Sequence, residues 1–190
     1  MWRSDEELML SCRDGDEGAF EILYRRYEKP VLSFIYRMVT SAADAEDLCQ
    51  ETFLRVIRAK RRYQTNGRFK TWLFRIALNL CRDRIRRMKF RSSSSLDIPV
   101  SSRDCEDAEI RQAVVDPLPD PAKRAETEEM RRLLQQAFTK LTEDQRSVVI
   151  LREYHALKFP EIAEIMKCPI KSLNYRGHQK LLKILSGHID

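Results

Sequence analysis

No run of about 18 apolar residues occurs in this chain, so no helix of membrane-spanning length is encoded. Its first ten residues place Asp5, Glu6 and Glu7 where a signal peptide carries a basic start and an apolar core, which predicts a cytoplasmic protein. Glycine is scarce: there are 5, at positions 15, 18, 67, 177 and 187, and none forms a phosphate-cradling loop, which argues against a nucleotide enzyme. The 5 cysteines, Cys12, Cys49, Cys81, Cys105 and Cys168, form no CxxC pair and no Cys/His cluster. That spacing excludes a disulfide framework and a zinc knuckle, and predicts buried free thiols. His155, His178 and His188 lack any nucleophile–base spacing, so no catalytic site, metal site or cofactor is expected.

What is present is charge on a helical pattern. Of 190 residues, 43% are hydrophobic and 34% charged, against an average near 25% charged, so a core is affordable beneath an ionic surface. Apolar residues recur at spacings of three and four while β-branched residues do not alternate, which predicts an all-α protein. The net charge of +6 conceals a polarity. Between Arg55 and Arg91 stand 14 basic residues and one acid, Asp83, whereas the rest of the chain is net acidic. A polycation of that density is the electrostatic footprint of a nucleic-acid protein. From Ser92 to Ala122 the composition changes to four consecutive serines, Pro99, Pro117, Pro119 and Pro121, and seven acids against Arg103 and Arg111. Prolines prevent a long helix and low hydrophobicity prevents a core. The expected organisation is therefore two helical domains, 1–91 and 123–190, joined by a flexible acidic linker, 92–122.

In the first domain a stripe from Ala19 to Tyr27 ends near Pro30, which suits the first turn of a new helix carrying Val31, Leu32, Phe34, Ile35, Met38 and Val39. Ser41 and Asp44 resemble a capping pair opening a helix from about Ala45 to Lys60, with Leu48, Phe53, Val56 and Ile57 inward. Opposite them Asp47, Gln50, Glu51 and Arg55 form a polar ridge, either solvated surface or a docking face. After the turn at Asn66-Gly67, Phe69 to Arg87 reads as one helix with Trp72, Leu73, Ile76, Ala77, Leu80 and Ile85 on its apolar side and Arg75, Arg82, Arg86 and Arg87 opposite. The aromatics Tyr63, Phe69, Trp72 and Phe74 interleave with the basic run, a combination that holds a phosphate backbone while capturing unpaired bases, and the turn from Tyr63 to Thr71 is the candidate for touching them. In the second domain Met130 to Leu141 defines one helix, Thr142 and Gln145 a capping box opening a second. Then a short helix from Pro160 to Met166, a tight connection through Lys167, Cys168 and Pro169, and a helix from about Ile170 to Leu185 describe a helix-turn-helix. Helical hairpins are common, so this pattern alone leaves DNA binding open.

Three stretches, together with the stripe from Phe20 to Val39, resemble the extracytoplasmic-function sigma factors, the small two-domain branch of the bacterial sigma-70 family. The run from Asp44 to Val56 (DAEDLCQETFLRV) is similar to the family's region 2.2, and Phe69 to Arg87 (FKTWLFRIALNLCRDRIRR) to its regions 2.3 and 2.4. Leu141 to Arg152 with Pro160 to Met166 is similar to region 4, and Phe20 to Val39 to region 2.1. The resemblance implies a transcription initiation factor without catalysis of its own, whose partners are core RNA polymerase, promoter DNA and an anti-sigma factor, with no membrane contact except through the latter. It implies that Asp47, Leu48, Gln50, Glu51 and Phe53 dock on the beta-prime clamp helices, with further contacts to the beta subunit. Arg61, Arg62, Tyr63, Asn66, Arg68, Phe69, Lys70, Thr71 and Trp72 in the turn, and Arg75, Asn79, Arg82, Asp83, Arg86 and Arg87 on the following helix, are implied to engage the minus-10 element. There a base is flipped out at a cost of a few kcal/mol. Lys171, Ser172, Asn174, Tyr175, Arg176, His178, Gln179 and Lys180 are implied to read the minus-35 element, and the linker to thread toward the polymerase active centre. The competing expectation is an autonomous helix-turn-helix regulator, which binds specific duplex without polymerase.

Overall fold

The structure is a computed structural model and describes residues 3–64, 67–94, 137, 138 and 140–167. The chain divides into two compact units, Met1–Ile110 and Arg111–Asp190. Among the described residues all regular structure is helical, as the spacing of apolar residues predicts.

The first unit contains α1 (Asp5–Arg13), α2 (Glu17–Val39), α3 (Ala42–Ala59), a 3-10 turn (Lys60–Arg62) and α4 (Phe69–Ser94). Helix α1 is not anticipated by the reading above, although its signal is in the sequence. Ser4 and Glu7 form a capping box in which the Glu7 amide donates to Ser4 Oγ at 3.2 Å and the Ser4 amide to Glu7 Oε2 at 2.7 Å. Gly15 adopts φ 109°, a left-handed conformation that glycine takes without strain, and Asp16 then caps α2 by accepting the Ala19 amide at 3.0 Å.

Pro30 does not begin a helix, because α2 runs unbroken through it. Proline in a helix interior costs about 3 kcal/mol relative to alanine. Here Val31, Phe34, Ile35 and Met38, all at 0% exposure, lie just beyond it, and burying each such side chain contributes about 1.5–3 kcal/mol, so tertiary packing overrides the local penalty. Pro30→Ala is accordingly expected to stabilise the unit by up to about 3 kcal/mol, read as a higher urea midpoint; a lower midpoint would show that ring packing outweighs the missing amide.

Helix α2 packs against α1, α3 and α4, and α3 against α4. Ser41 caps α3, accepting the Asp44 amide at 3.3 Å as anticipated, but the helix starts at Ala42 and its inward stripe differs from the expected one. Ala42, Ala45, Cys49, Thr52, Phe53 and Val56 are buried, Leu48 is half-buried and Ile57 is exposed, a rotation of the buried face by about one residue. Thr52 sits in that face because its hydroxyl donates to the Leu48 carbonyl at 2.7 Å. Helix α4 continues to Ser94, three residues past the expected domain boundary, since serine only weakly disfavours a helix already propagating. The remainder of the expected linker lies outside the described residues.

Cys12, Cys49 and Cys81 are free and buried, while Cys105 and Cys168 lie outside the described residues. Burial pushes all three thiols up, Cys49 to about 12, with Glu28 and Glu46 adding to it. Tyr63 is also pushed up to about 12, by burial first, and Tyr24 to about 12 by its hydrogen bond to Glu28. A pKa higher in the folded than in the unfolded chain means that folding favours the neutral form. That stabilisation is whole below the unfolded thiol value near pH 9 and is lost as pH rises toward about 12. The thermal midpoint is therefore expected to fall steadily above about pH 9, and a flat profile to pH 11 would contradict it.

In the second unit Ala137 and Phe138 are helical, and α5 (Glu143–Glu153) and α6 (Phe159–Met166) follow. Thr142 caps α5 with Gln145 in the expected box. Val148, Val149, Ile150 and Leu151 are buried, while Tyr154 is 42% exposed at the helix end. Arg152 donates to the Leu157 carbonyl at 3.1 Å and lies 4.9 Å from the Phe159 ring centroid, which fixes the turn between the helices. Lys158 occupies the cap of α6, where its amide donates to Glu161 Oε2 at 2.7 Å. Lys167 ends α6 at φ 53°, a left-handed stop that turns the chain toward residue 168.

Candidate nucleic-acid interface

The basic stretch begins where α3 ends. Its 3-10 turn leaves Arg61 and Arg62 exposed, and Arg68 is exposed just before α4. Between them Tyr63 turns inward, its hydroxyl donating to the Gly67 carbonyl at 3.4 Å. Tyr63, Phe69 and Trp72 pack as a cluster with centroids 5.2 to 6.2 Å apart, and Tyr27 of α2 meets Phe69 edge-on at 5.5 Å.

This packing sets three members of the expected base-contacting set beneath the turn. Tyr63 (4% exposed), Phe69 (1%) and Thr71 (1%) are core residues here, so they shape the turn from beneath. Period-3.6 reasoning over a short polar turn contains no information about which aromatic the neighbouring helices cover. Arg61, Arg62 and Arg68 reach solvent, Lys70 and Trp72 are half-buried, and Asn66 lies outside the described residues.

Along α4 the predicted outward side is formed. Arg75, Asn79, Arg82 and Arg86 follow at spacings of four, three and four, which places them on one face; Asn79 and Arg86 are exposed, Arg75 and Arg82 half-buried, and Arg87 stands exposed beside them. Asp83, the lone acid of the stretch, accepts from Arg86 at 2.6 Å and thereby orients it. Arg84 is spent differently: it is paired with Asp44 in the first turn of α3, tying α4 to its neighbour.

On α3, Asp47 and Gln50 are exposed and Leu48 is half-buried. Glu51 is half-buried, accepts from Arg55 Nε at 2.8 Å and lies 3.9 Å from Arg58. Phe53, expected in the docking set, is buried edge-on against Tyr24 at 4.8 Å and Phe20 at 6.4 Å, so it supports the ridge from within. The exposed apolar members of that side are Leu54 (46%) and Ile57 (39%), which the sequence reading missed. Leu54 lies four residues from Gln50 and Ile57 three from Leu54, and that spacing was the available signal. Asp47, Gln50, Leu54 and Ile57 thus make a ridge of mixed polar and apolar character, a composition suited to protein contact.

Residues Lys171, Ser172, Asn174, Tyr175, Arg176, His178, Gln179 and Lys180 lie outside the described residues. No described helix is long and apolar enough to cross a membrane, and among the described residues no group of three His, Cys, Asp or Glu side chains is placed to hold a metal ion.

Residues 23–91 match the family model for sigma-70 region 2, and residues 131–184 that for sigma-70 region 4. The RNA polymerase sigma-H factor of Pseudomonas aeruginosa is 31% identical over 172 residues, covering 90% of this chain and 87% of that protein. The ECF RNA polymerase sigma-E factor of Escherichia coli K12 is 32% identical over 173 residues, covering 91% and 88%. Among solved structures, CnrH in complex with the cytosolic domain of CnrY superposes with a TM-score of 0.67 at 20% identity, over 97% of this chain and 99% of that one. The sigma factor RpoE of Bartonella quintana, in complex with the anti-sigma factor NepR, gives 0.63 at 19% identity over 88% and 96%. At those identities the two structures speak for the fold.

Proposed function

The chain belongs to the extracytoplasmic-function sigma factors of the sigma-70 family, and from that premise we propose how its residues divide the work of an RNA polymerase sigma factor. Residues 1–91 bind core polymerase and the minus-10 element, 92–122 form the linker, and 123–190 read the minus-35 element. The observation that carries the reading is the segregation of two unlike faces on one helical unit: a ridge of Asp47, Gln50, Leu54 and Ile57 on α3, and an outward basic face of Arg75, Arg82 and Arg86 with Asn79 on α4. The ridge docks on the beta-prime clamp helices of core polymerase. The α4 face, with Arg61, Arg62 and Arg68 at its entrance, binds the phosphates of the opened strand, while Trp72 and Asn79 meet bases. Residues Lys171 to Lys180 enter the major groove at the minus-35 element.

An anti-sigma protein holds this chain in check in the cytoplasm, a reading supported by the solved complexes of RpoE with the anti-sigma factor NepR and of CnrH with the cytosolic domain of CnrY. The work is recognition and strand separation; no residue acts as a catalyst and no cofactor takes part.

The test is run-off transcription with purified core polymerase over a promoter library, comparing the chain with its Asp47→Ala and Arg176→Ala variants. Transcripts that require the protein and fade with both substitutions are expected. Sequence-specific duplex binding by the protein alone, with no transcripts, would identify an autonomous regulator instead.

A further inference from the structure

The first amides of a helix have no partner within it, and a residue at the cap normally supplies an acceptor from its own side chain. At the start of α4 the residue in that place is Arg68, whose carbonyl accepts from the Trp72 amide at 3.1 Å but whose guanidinium carries donors only. The acceptor arrives from elsewhere: the Phe69 amide donates to Glu6 Oε1 at 3.0 Å, across 63 positions of sequence. The three consecutive acids of α1 are therefore each engaged in a different place. Glu7 caps its own helix, Glu6 caps α4, and Asp5 binds the Tyr27 hydroxyl and Arg26 on α2. Tyr27 is the ring that packs on Phe69, so Asp5 and Glu6 grip the same aromatic cluster from two sides. At the other end of α1, Lys60 Nζ donates to the Cys12 carbonyl at 3.1 Å and joins the helix to the 3-10 turn. Helix α1 thus braces both ends of the turn that presents Arg61, Arg62 and Arg68.

We propose that Glu6 is a positioning residue for capture of the opened minus-10 strand, its carboxylate holding the first turn of α4 and the Tyr63–Phe69–Trp72 cluster in the conformation that receives DNA. This rests on the reading of residues 1–91 given above. A carboxylate suits the place twice, because it accepts a charge-assisted hydrogen bond and stands at the positive end of the helix dipole. A glutamine retains an acceptor oxygen there, and an alanine retains none.

The experiment uses the full chain assembled with core polymerase. Two probes are compared: a single-stranded oligonucleotide carrying the minus-10 element and a duplex carrying only the minus-35 element. For Glu6→Ala, affinity for the single strand is expected to fall about fivefold, the worth of one cap, while the minus-35 duplex is bound within about twofold of the unsubstituted protein. Glu6→Gln is expected to restore most of the single-strand affinity. An unchanged single-strand affinity, an equal loss on both probes, or a glutamine variant as impaired as the alanine one would overturn the proposal. In the free full-length chain, hydrogen exchange at the Phe69 amide is expected to quicken in Glu6→Ala and not in Glu6→Gln; unchanged exchange would overturn it as well. Failure of the functional reading is distinguishable, because the unsubstituted holoenzyme would then show no preference for the minus-10 strand whatever the exchange at Phe69.

Discussion

Replacing Phe34 by alanine is expected to cost the first unit about 3–5 kcal/mol, most of the stability that such a domain possesses. Phe34 is 0% exposed in the C-terminal half of α2, the helix that touches α1, α3 and α4, and its ring meets Phe74 of α4 edge-on at 5.4 Å. Truncation removes the burial of the ring, its quadrupolar contact with Phe74, and the filling of a space in a core whose other side chains, Val31, Ile35 and Met38 of this helix among them, are also fully buried. Those neighbours are held by their own helix and collapse only partly into the void. Urea unfolding followed by circular dichroism checks this, with Ile22→Ala as the comparison. Ile22 is 46% exposed on the same helix, and its truncation is expected to change stability by no more than about 0.5 kcal/mol. Equal effects at the two positions would contradict the assignment of Phe34 to the centre of the core.

The second large effect is electrostatic. Arg61, Arg62, Arg68 and Arg87 are all exposed on the unit proposed to hold the minus-10 DNA. Changing these four to glutamine is expected to reduce the slope of log affinity against log salt by about 3 to 4, because each phosphate contact to a duplex contributes about 0.9 through counterion release and each single-strand contact about 0.7. The measurement is promoter binding by the holoenzyme across a salt series. Arg84→Gln serves as the contrast: its partner is Asp44 on α3, so it is expected to lower the thermal midpoint and leave the salt slope unchanged. A slope insensitive to the four substitutions would place the phosphate contacts elsewhere.

The sequence by itself determined the helical class, because the three-and-four spacing of apolar residues is a local property that survives any packing arrangement. It determined the caps at Ser41 and Thr142 for the same reason, each being a contact between residues three apart. The cap at Ser4, with Glu7 three residues on, is equally local. The polycation from Arg55 to Arg91 and the motifs of two sigma regions were also local, and they carried the family. Periodicity sets the spacing of a buried stripe and leaves its phase to the neighbours, so Phe53 was legible as inward while only the tertiary structure decided that Thr52 turns in and Ile57 out on α3. The penalty of a helix-interior proline is local and about 3 kcal/mol, and the summed burial of Val31, Phe34 and Ile35 carried α2 through Pro30. The burial of Tyr63, Phe69 and Thr71 follows from helices that approach them from far along the chain. The bond from Phe69 to Glu6 spans 63 positions, and a contact that exists only once the chain has folded back on itself leaves no local pattern to read.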